Sequence, residues 1–230
     1  MDVSTLTGMN IGMNKESNQL VKGILSRGER LFVGGPPRTR KTWLLIDLAI
    51  SIANGVPWLG FETTHGRVLY INFHHHAVSM RDRLVWVEKA KNANNIDDIS
   101  IWNLRDIPSS KTEISKLTKA LLKRIRGKNY DLIIVDPVYE CFGKRDQDKP
   151  EDLEDFMSYF DHISKETGAA IVFDSHFLKN NRKSDTIFML NPQNKGEMNP
   201  EEFNVDIKAY EFPTVENFRL EWEAPLLRRI

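Results

Sequence analysis

The sequence predicts an α/β protein: a mostly parallel central sheet with helices on both faces and an antiparallel extension toward the C-terminus. Three observations carry this. Apolar runs of strand length at residues 68–71, 132–135 and 169–173 alternate with segments of helical periodicity, and strands apolar along their whole length are buried on both faces. A loop rich in Gly and Pro separates the first strong strand from the first helix. Beyond residue 185 the strand patterns follow one another without an intervening helix.

The elements follow in order. Residues 1–18 are polar, lack a basic-then-apolar signal pattern and are read as a flexible tail, which leaves 19–230 as one domain. Leu31-Phe32-Val33 ends in Gly34-Gly35, a strand running into a tight turn. Trp43, Leu44, Ile46, Leu48, Ala49 and Ile52 make the next helix apolar almost all round, hence mostly buried, with Asp47 as its one interrupting charge and Gly55 and Pro57 as its stop. A strand is expected over 67–73, a helix over 79–91 and a strand over 99–104. Ile114, Leu117, Leu121, Leu122 and Ile125 share one helical face, ended by Gly127. Leu132 to Val135 is a buried strand closed by Asp136-Pro137. Leu153, Phe156, Met157, Phe160 and Ile163 line up on a further helix with Gly168 past its end, and Ala169 to Phe173 is the next buried strand. Strands are expected at 186–190, 202–210 and 218–223; Val205, Ile207 and Ala209 alternate with Asp206 and Lys208, the pattern of a sheet with one wet face.

Composition narrows the function classes. The 32 Lys and Arg balance the 32 Asp and Glu, so no general cationic field draws the chain to nucleic acid, and any such binding must use local patches. The single Cys141 excludes an internal disulfide framework and fits a reducing compartment. No segment approaches the roughly 20 apolar residues of a membrane span. A cytoplasmic protein without membrane association is the expectation.

The chemistry concentrates between the first strand and the first helix. Gly35-Pro36-Pro37-Arg38-Thr39-Arg40-Lys41-Thr42 matches the phosphate-loop pattern G-x-x-x-x-G-K-[ST] at every fixed position except Arg40. Loop and first-turn N–H groups face a polyphosphate there, and the helix dipole favours its charge. Lys41 would place its ammonium on the β and γ phosphates, and Thr42 would offer its hydroxyl to Mg²⁺. Arg40 stands where glycine would allow unusual backbone angles and close approach of the phosphate; it either distorts the loop or adds a cation to the site. Asp136 supplies the partner feature. An acid ending a buried strand needs hydrogen bonds or a cation, and the economical cation is Mg²⁺ held with Thr42; the alternative is a turn aspartate before Pro137.

The phosphate loop, Leu20-Val21-Lys22-Gly23-Ile24-Leu25, Gly55-Val56-Pro57-Trp58-Leu59-Gly60-Phe61, Gly66-Arg67-Val68-Leu69-Tyr70, Ile134-Val135-Asp136-Pro137, and Thr167 to Val172 through His176-Phe177 and Lys179 occur in this order and spacing. Together they resemble the RecA-like ATPases of the plasmid and phage RepA helicase type. The resemblance implies a RecA-like core with ATP and Mg²⁺ as cofactors. It also implies a ring-shaped homo-oligomer, often a hexamer, working on DNA in replication or maintenance of a plasmid, phage or integrated element. Relatives carry a glutamate that polarises the attacking water where this chain has His74, and paired histidines where it has Ser175-His176. His74 therefore occupies the water-activating position. His176 is either a sensor of the γ-phosphate or an ordinary strand-end histidine. In place of an Arg- and Gly/Ser-rich loop facing DNA or the neighbouring subunit, Lys179-Asn180-Asn181-Arg182-Lys183 is basic but short, with Lys179, Arg182 and Lys183 as the DNA candidates.

Three other features have plainer readings. Only His74 and His76 of the histidine triplet share a face in an extended chain and no Cys pair accompanies them, so a polar loop is expected rather than a metal site. Lys119, Lys123, Arg124, Arg126 and Lys128 lie opposite their helix's apolar stripe, a solvated face. The five tryptophans are expected in core or interface. A RecA-like ATPase is the leading expectation. A nucleotide-binding regulatory or scaffold subunit with little turnover is the alternative, and a small-molecule kinase is disfavoured because the strand-rich C-terminal third offers no arginine-bearing lid.

Overall fold

The computed structural model describes residues 18–108, 113–145, 149–175, 186–194, 199–209 and 217–230. Strands β1 (Gln19–Val21) and β2 (Leu25–Ser26) form a small antiparallel pair ahead of the main sheet. The core then runs β3 (Arg30–Gly34), α1 (Lys41–Asn54), β4 (Val68–Asn72), α2 (Ala77–Ala90), β5 (Ile99–Asn103), α3 (Ile114–Ile125), β6 (Leu132–Asp136), a short 3₁₀ turn (Val138–Cys141), α4 (Pro150–Thr167) and β7 (Ala170–Ser175). Strands β8 (Thr186–Pro192), β9 (Glu202–Ala209), β10 (Phe218–Glu223) and β11 (Leu226–Arg229) complete it.

The nine-stranded sheet has the order β11-β10-β9-β8-β3-β7-β6-β4-β5. From β8 to β5 all neighbours are parallel, and from β8 to β11 all are antiparallel. The predicted alternation of strand and helix is thus realised element by element. The antiparallel extension, however, starts one strand later than the sequence pattern suggests. Strand β8 runs parallel to β3, with Leu31 beside Thr186 and Gly34 beside Met189. Its Phe188 and Leu190 are fully buried, so it belongs to the central sheet as much as to the extension.

Each face of the sheet has its own apolar layer. Leu31, Val33, Tyr70, Ile134, Val172 and Phe188 meet α1 and α2, whereas Phe32, Leu69, Ile71, Ile133, Val135 and Phe173 meet α3 and α4. Alternation along each strand sends successive side chains to opposite layers, and so both faces need helices. Helix α1 is buried from Leu44 to Ala53, as a helix apolar all round must be. Gly55 stops it in a left-handed conformation at φ 63°, its N–H reaching the carbonyls of Ser51 and Ile52. Asp47 keeps its place inside this helix because Lys91, just past the end of α2, sets its ammonium 2.6 Å from the carboxylate.

The basic run on α3 is exposed while Leu117, Leu121 and Ile125 are buried. Trp58 is buried and donates its indole N–H to the Leu44 carbonyl at 3.3 Å. Trp86 lies outside the core, 56 % exposed and stacked on Trp43 with centroids 6.3 Å apart. Cys141 is fully buried, and burial pushes its thiol far above the ordinary range. No helix among the described residues is long and apolar enough to cross a membrane.

Candidate phosphate and metal site

The site opens where β3 gives way to α1. Gly35 has φ 152°, and a Cβ there would lie 2.8 Å from the Leu190 carbonyl oxygen and 2.9 Å from the Thr39 hydroxyl; only glycine lets the loop turn this close to β8. The loop is braced from within by Thr39, fully buried, whose hydroxyl donates to the Pro36 carbonyl at 2.8 Å. Helix α1 then begins with no side-chain cap and no acid in its first turn, so its leading N–H groups are left for an anion.

Lys41, 5 % exposed, folds back over this loop. Its ammonium donates to the carbonyls of Gly35 and Pro36, each at 3.0 Å, and stands 3.4 Å from the Thr39 hydroxyl. Burial lowers its pKa to about 8, although Asp174 and Asp136 pull it the other way. Thr42 follows with its hydroxyl oxygen 3.5 Å from one Asp136 carboxylate oxygen. The other Asp136 oxygen accepts a 2.6 Å hydrogen bond from the fully buried Tyr70 hydroxyl. That phenol is held well above its ordinary pKa, first by burial and then by the Asp136 charge, so it remains a donor.

Arg40 occupies the glycine position in the conformation a glycine would use, with φ 63° and ψ 18°. Of the two sequence-based alternatives, distortion or an added phosphate cation, the side chain takes neither outright. The loop closes with its left-handed residue in place, and the guanidinium lies over the Trp222 ring of β10, 4.8 Å from the centroid. Left-handed backbone in a residue with a Cβ costs on the order of 1 kcal/mol, and a partly desolvated cation–π contact returns a similar amount. Arg40→Gly is therefore expected to melt within a few degrees of the wild type, whereas Arg40→Ala, which keeps the strain and loses the contact, should be less stable than Arg40→Gly by about 1 kcal/mol. Equal melting of the two variants would show that φ is not held positive here.

The loop and the strand ends enclose a cavity of about 410 Å³, lined among others by Lys41, Thr42, His74, Asp136 and Asp174. Arg38 to Thr42, Asp136 and His74 thus share one cavity, with Gly35 and Pro36 behind Lys41 as its hydrogen-bond acceptors. His74 is about half exposed; its Nε2 lies 2.6 Å from the Tyr139 hydroxyl and 3.3 Å from a Glu140 carboxylate oxygen. The other two histidines take separate partners, His75 meeting Arg83 and His76 meeting Arg105. His176, Lys179, Arg182 and Lys183 lie outside the described residues, as do residues 1–17.

Two site residues escape the sequence reading. Tyr70 positions Asp136, and Asp174 at the end of β7 is 4 % exposed beside it. Burial first, then the neighbouring Asp136 charge, raises the Asp174 carboxyl well above the usual range. Phe173-Asp174 repeats the pattern of Val135-Asp136, an acid closing an apolar strand, and that signal was present in the sequence.

The donors suit Mg²⁺: hydroxyl and carboxylate oxygens are hard ligands, Thr42 and Asp136 stand close without a tight bond between them, and one Asp174 oxygen is buried with no described partner. Among the described residues no group of three His, Cys, Asp or Glu forms a metal cage, so such an ion would need phosphate and water for its remaining positions.

A parallel sheet centred on β3, with a phosphate loop at its C-terminal edge and an acid on a nearby strand end, defines a RecA-like P-loop fold. The family model described as an AAA domain (AAA_25) matches residues 9–182, and the chain belongs to that family. Membership implies nucleotide binding, typically with Mg²⁺. The fold is similar to that of a KaiC-like protein from the hyperthermophilic archaeon Pyrococcus horikoshii OT3, with TM-score 0.62 and 14 % identity over 92 % of this chain and 93 % of that one. No curated protein matches the sequence.

Proposed function

We propose that the protein is an ATP-hydrolysing RecA-like ATPase of the RepA helicase type, serving DNA replication or maintenance of a plasmid, phage or integrated element. One observation supports the nucleotide-binding part of this reading: Lys41, Thr42 and Asp136 converge on a single cavity at an uncapped helix N-terminus. In it, the loop N–H groups and Lys41 bind the triphosphate, and Thr42 and Asp136 hold Mg²⁺, which would neutralise charge developing on the phosphates. Tyr70 keeps Asp136 in place through its hydroxyl. His74 faces the same cavity and would take the proton of the attacking water, with Glu140 and Tyr139 orienting its ring. His176 would report the γ-phosphate, Lys179, Arg182 and Lys183 would meet DNA, and copies would assemble as a ring such as a hexamer; the family resemblance in the sequence motivates these three roles.

A second reading, a nucleotide-binding scaffold with little turnover, is favoured by one observation. The His74 nitrogen that would accept the proton already shares the Tyr139 hydroxyl and the Glu140 carboxylate. ATP turnover with and without single-stranded DNA, run beside size measurement in ATP, separates the two. The ATPase reading expects turnover near 1 s⁻¹ or above, raised by DNA, and a larger particle in ATP. Absence of turnover under all conditions, with ATP binding intact, would establish the scaffold.

A further inference from the structure

Strands β6 and β7 are parallel neighbours, and their register sets Asp174 level with Asp136 on the face that α1 covers. On the other side of β7, Asp174 is paired with Val33 of β3, the strand that feeds the phosphate loop. The acid therefore sits between the loop and Asp136, lining the cavity that both line. It is 4 % exposed, and its Oδ1 has no hydrogen-bond partner among the described residues. Asp136 shows the opposite condition, since the Tyr70 hydroxyl satisfies one of its oxygens. Lys41 is a cation whose charge reaches Asp174, but its ammonium is taken by the loop carbonyls.

Arg83 on the same wall acts on Asp136, so of the two buried acids Asp174 is the one left with a committed ammonium alone. A buried carboxylate oxygen with nothing to accept from is costly and persists where another state of the molecule satisfies it. The loop geometry fixes where a divalent cation would enter, beside Thr42 and Asp136, and Asp174 is the other buried carboxylate on that wall. We infer that Asp174 is a second acid of the divalent-cation site, contributing with Asp136 and Thr42 to the Mg²⁺ that accompanies a bound nucleoside triphosphate. This deepens the nucleotide-binding reading and rests on it. Its consequence is a site whose nucleotide affinity depends unusually strongly on the metal. Both carboxylates attract a cation, and neither attracts the phosphates in its absence.

The test measures affinity for a fluorescent ATP analogue in Mg²⁺ and in EDTA, for the full chain and for Asp174→Asn. The isosteric amide removes the charge, retains the shape and can donate to Asp136. Metal ligands and their supports are typically worth 10–100-fold in affinity. Asp174→Asn should therefore cut the ratio of the two affinities at least tenfold, while affinity in EDTA stays level or rises. Mn²⁺ titration of the nucleotide complexes, read from the free-ion resonance, should show the same loss directly. An unchanged Mg²⁺-to-EDTA ratio in the variant would overturn the assignment. So would equal losses in both conditions, the mark of a merely structural residue. If the wild type binds the analogue in neither condition, the nucleotide reading itself has failed and this inference falls with it. A wild type that binds beside a variant with the wild-type ratio removes Asp174 alone.

Discussion

Lys41→Ala is expected to abolish measurable ATP binding, with a loss of at least 100-fold, or about 2.8 kcal/mol. The magnitude follows from where the ammonium sits. It is 5 % exposed, held by the Gly35 and Pro36 carbonyls, and lies on the wall of the cavity where the proposed function puts the phosphates. A cation already stripped of water meets a phosphate oxygen with little further desolvation, and no other described lysine lines that cavity. The same burial makes the interaction pH-dependent. With the free-protein pKa lowered to about 8, Lys41 loses its proton above that value, and a bound polyphosphate stabilises the charged form. Affinity should thus be level below pH 8 and fall up to tenfold per unit above it. Stability should move oppositely. The folded form binds fewer protons than the unfolded form between about 8 and the ordinary lysine value of 10.5, so the nucleotide-free protein gains stability from this group as pH rises through that window. Calorimetric titration of both proteins from pH 6.5 to 9.5 checks each limb. Unchanged affinity in Lys41→Ala would remove the phosphate site altogether.

The pattern of what the sequence disclosed has a physical basis. The central elements were legible because each announces itself locally: Leu132 to Val135 is apolar on both faces, and α1 is apolar all round. Lys41, Thr42 and Asp136 were legible because loop, helix start and strand end are fixed by the chain's own order. The site's lateral contacts were not. Tyr70 reaches Asp136 because β4 and β6 are neighbours in a particular register, and Arg40 finds Trp222 because β10 folds back toward α1. Both contacts are non-local, so neither leaves a mark on the sequence around it. The same holds for β8, whose alternating burial resembles an edge strand although it pairs with β3. Strands β1, β2 and β11 are too short for a two-residue period to stand out. Asp174 is different: it closes an apolar strand just as Asp136 does, so the same sequence pattern marks both.

The largest expected loss of stability lies away from the phosphates. Asp47 lies in the middle of α1 and is buried on every side. Burial raises its pKa, and Lys91, 2.6 Å away, is the main influence lowering it. The Lys91 ammonium also donates to the Pro57 carbonyl at 2.9 Å, so one side chain ties the end of α2 to both α1 and the segment after it. Removing one partner of a buried pair strands the other charge, at a cost of about 3–5 kcal/mol. Lys91→Ala should accordingly lower the melting temperature by roughly 10 °C at pH 7 for a chain of this size. The pH dependence identifies the cause. In the variant the folded carboxyl titrates still higher than in the wild type, so the cost is absent below the unfolded value of 3.8 and grows as pH rises toward the folded pKa. The gap between variant and wild type should therefore narrow in acid. The double replacement Asp47→Leu with Lys91→Met removes both charges and keeps apolar volume, and it should recover most of the loss, because the pair's attraction offsets desolvation instead of adding net stability. Chemical denaturation of the wild type, Asp47→Leu, Lys91→Met and the double variant closes the cycle. A double variant as unstable as Lys91→Ala would show that Lys91 acts through its Pro57 contact and its aliphatic stem instead of through Asp47.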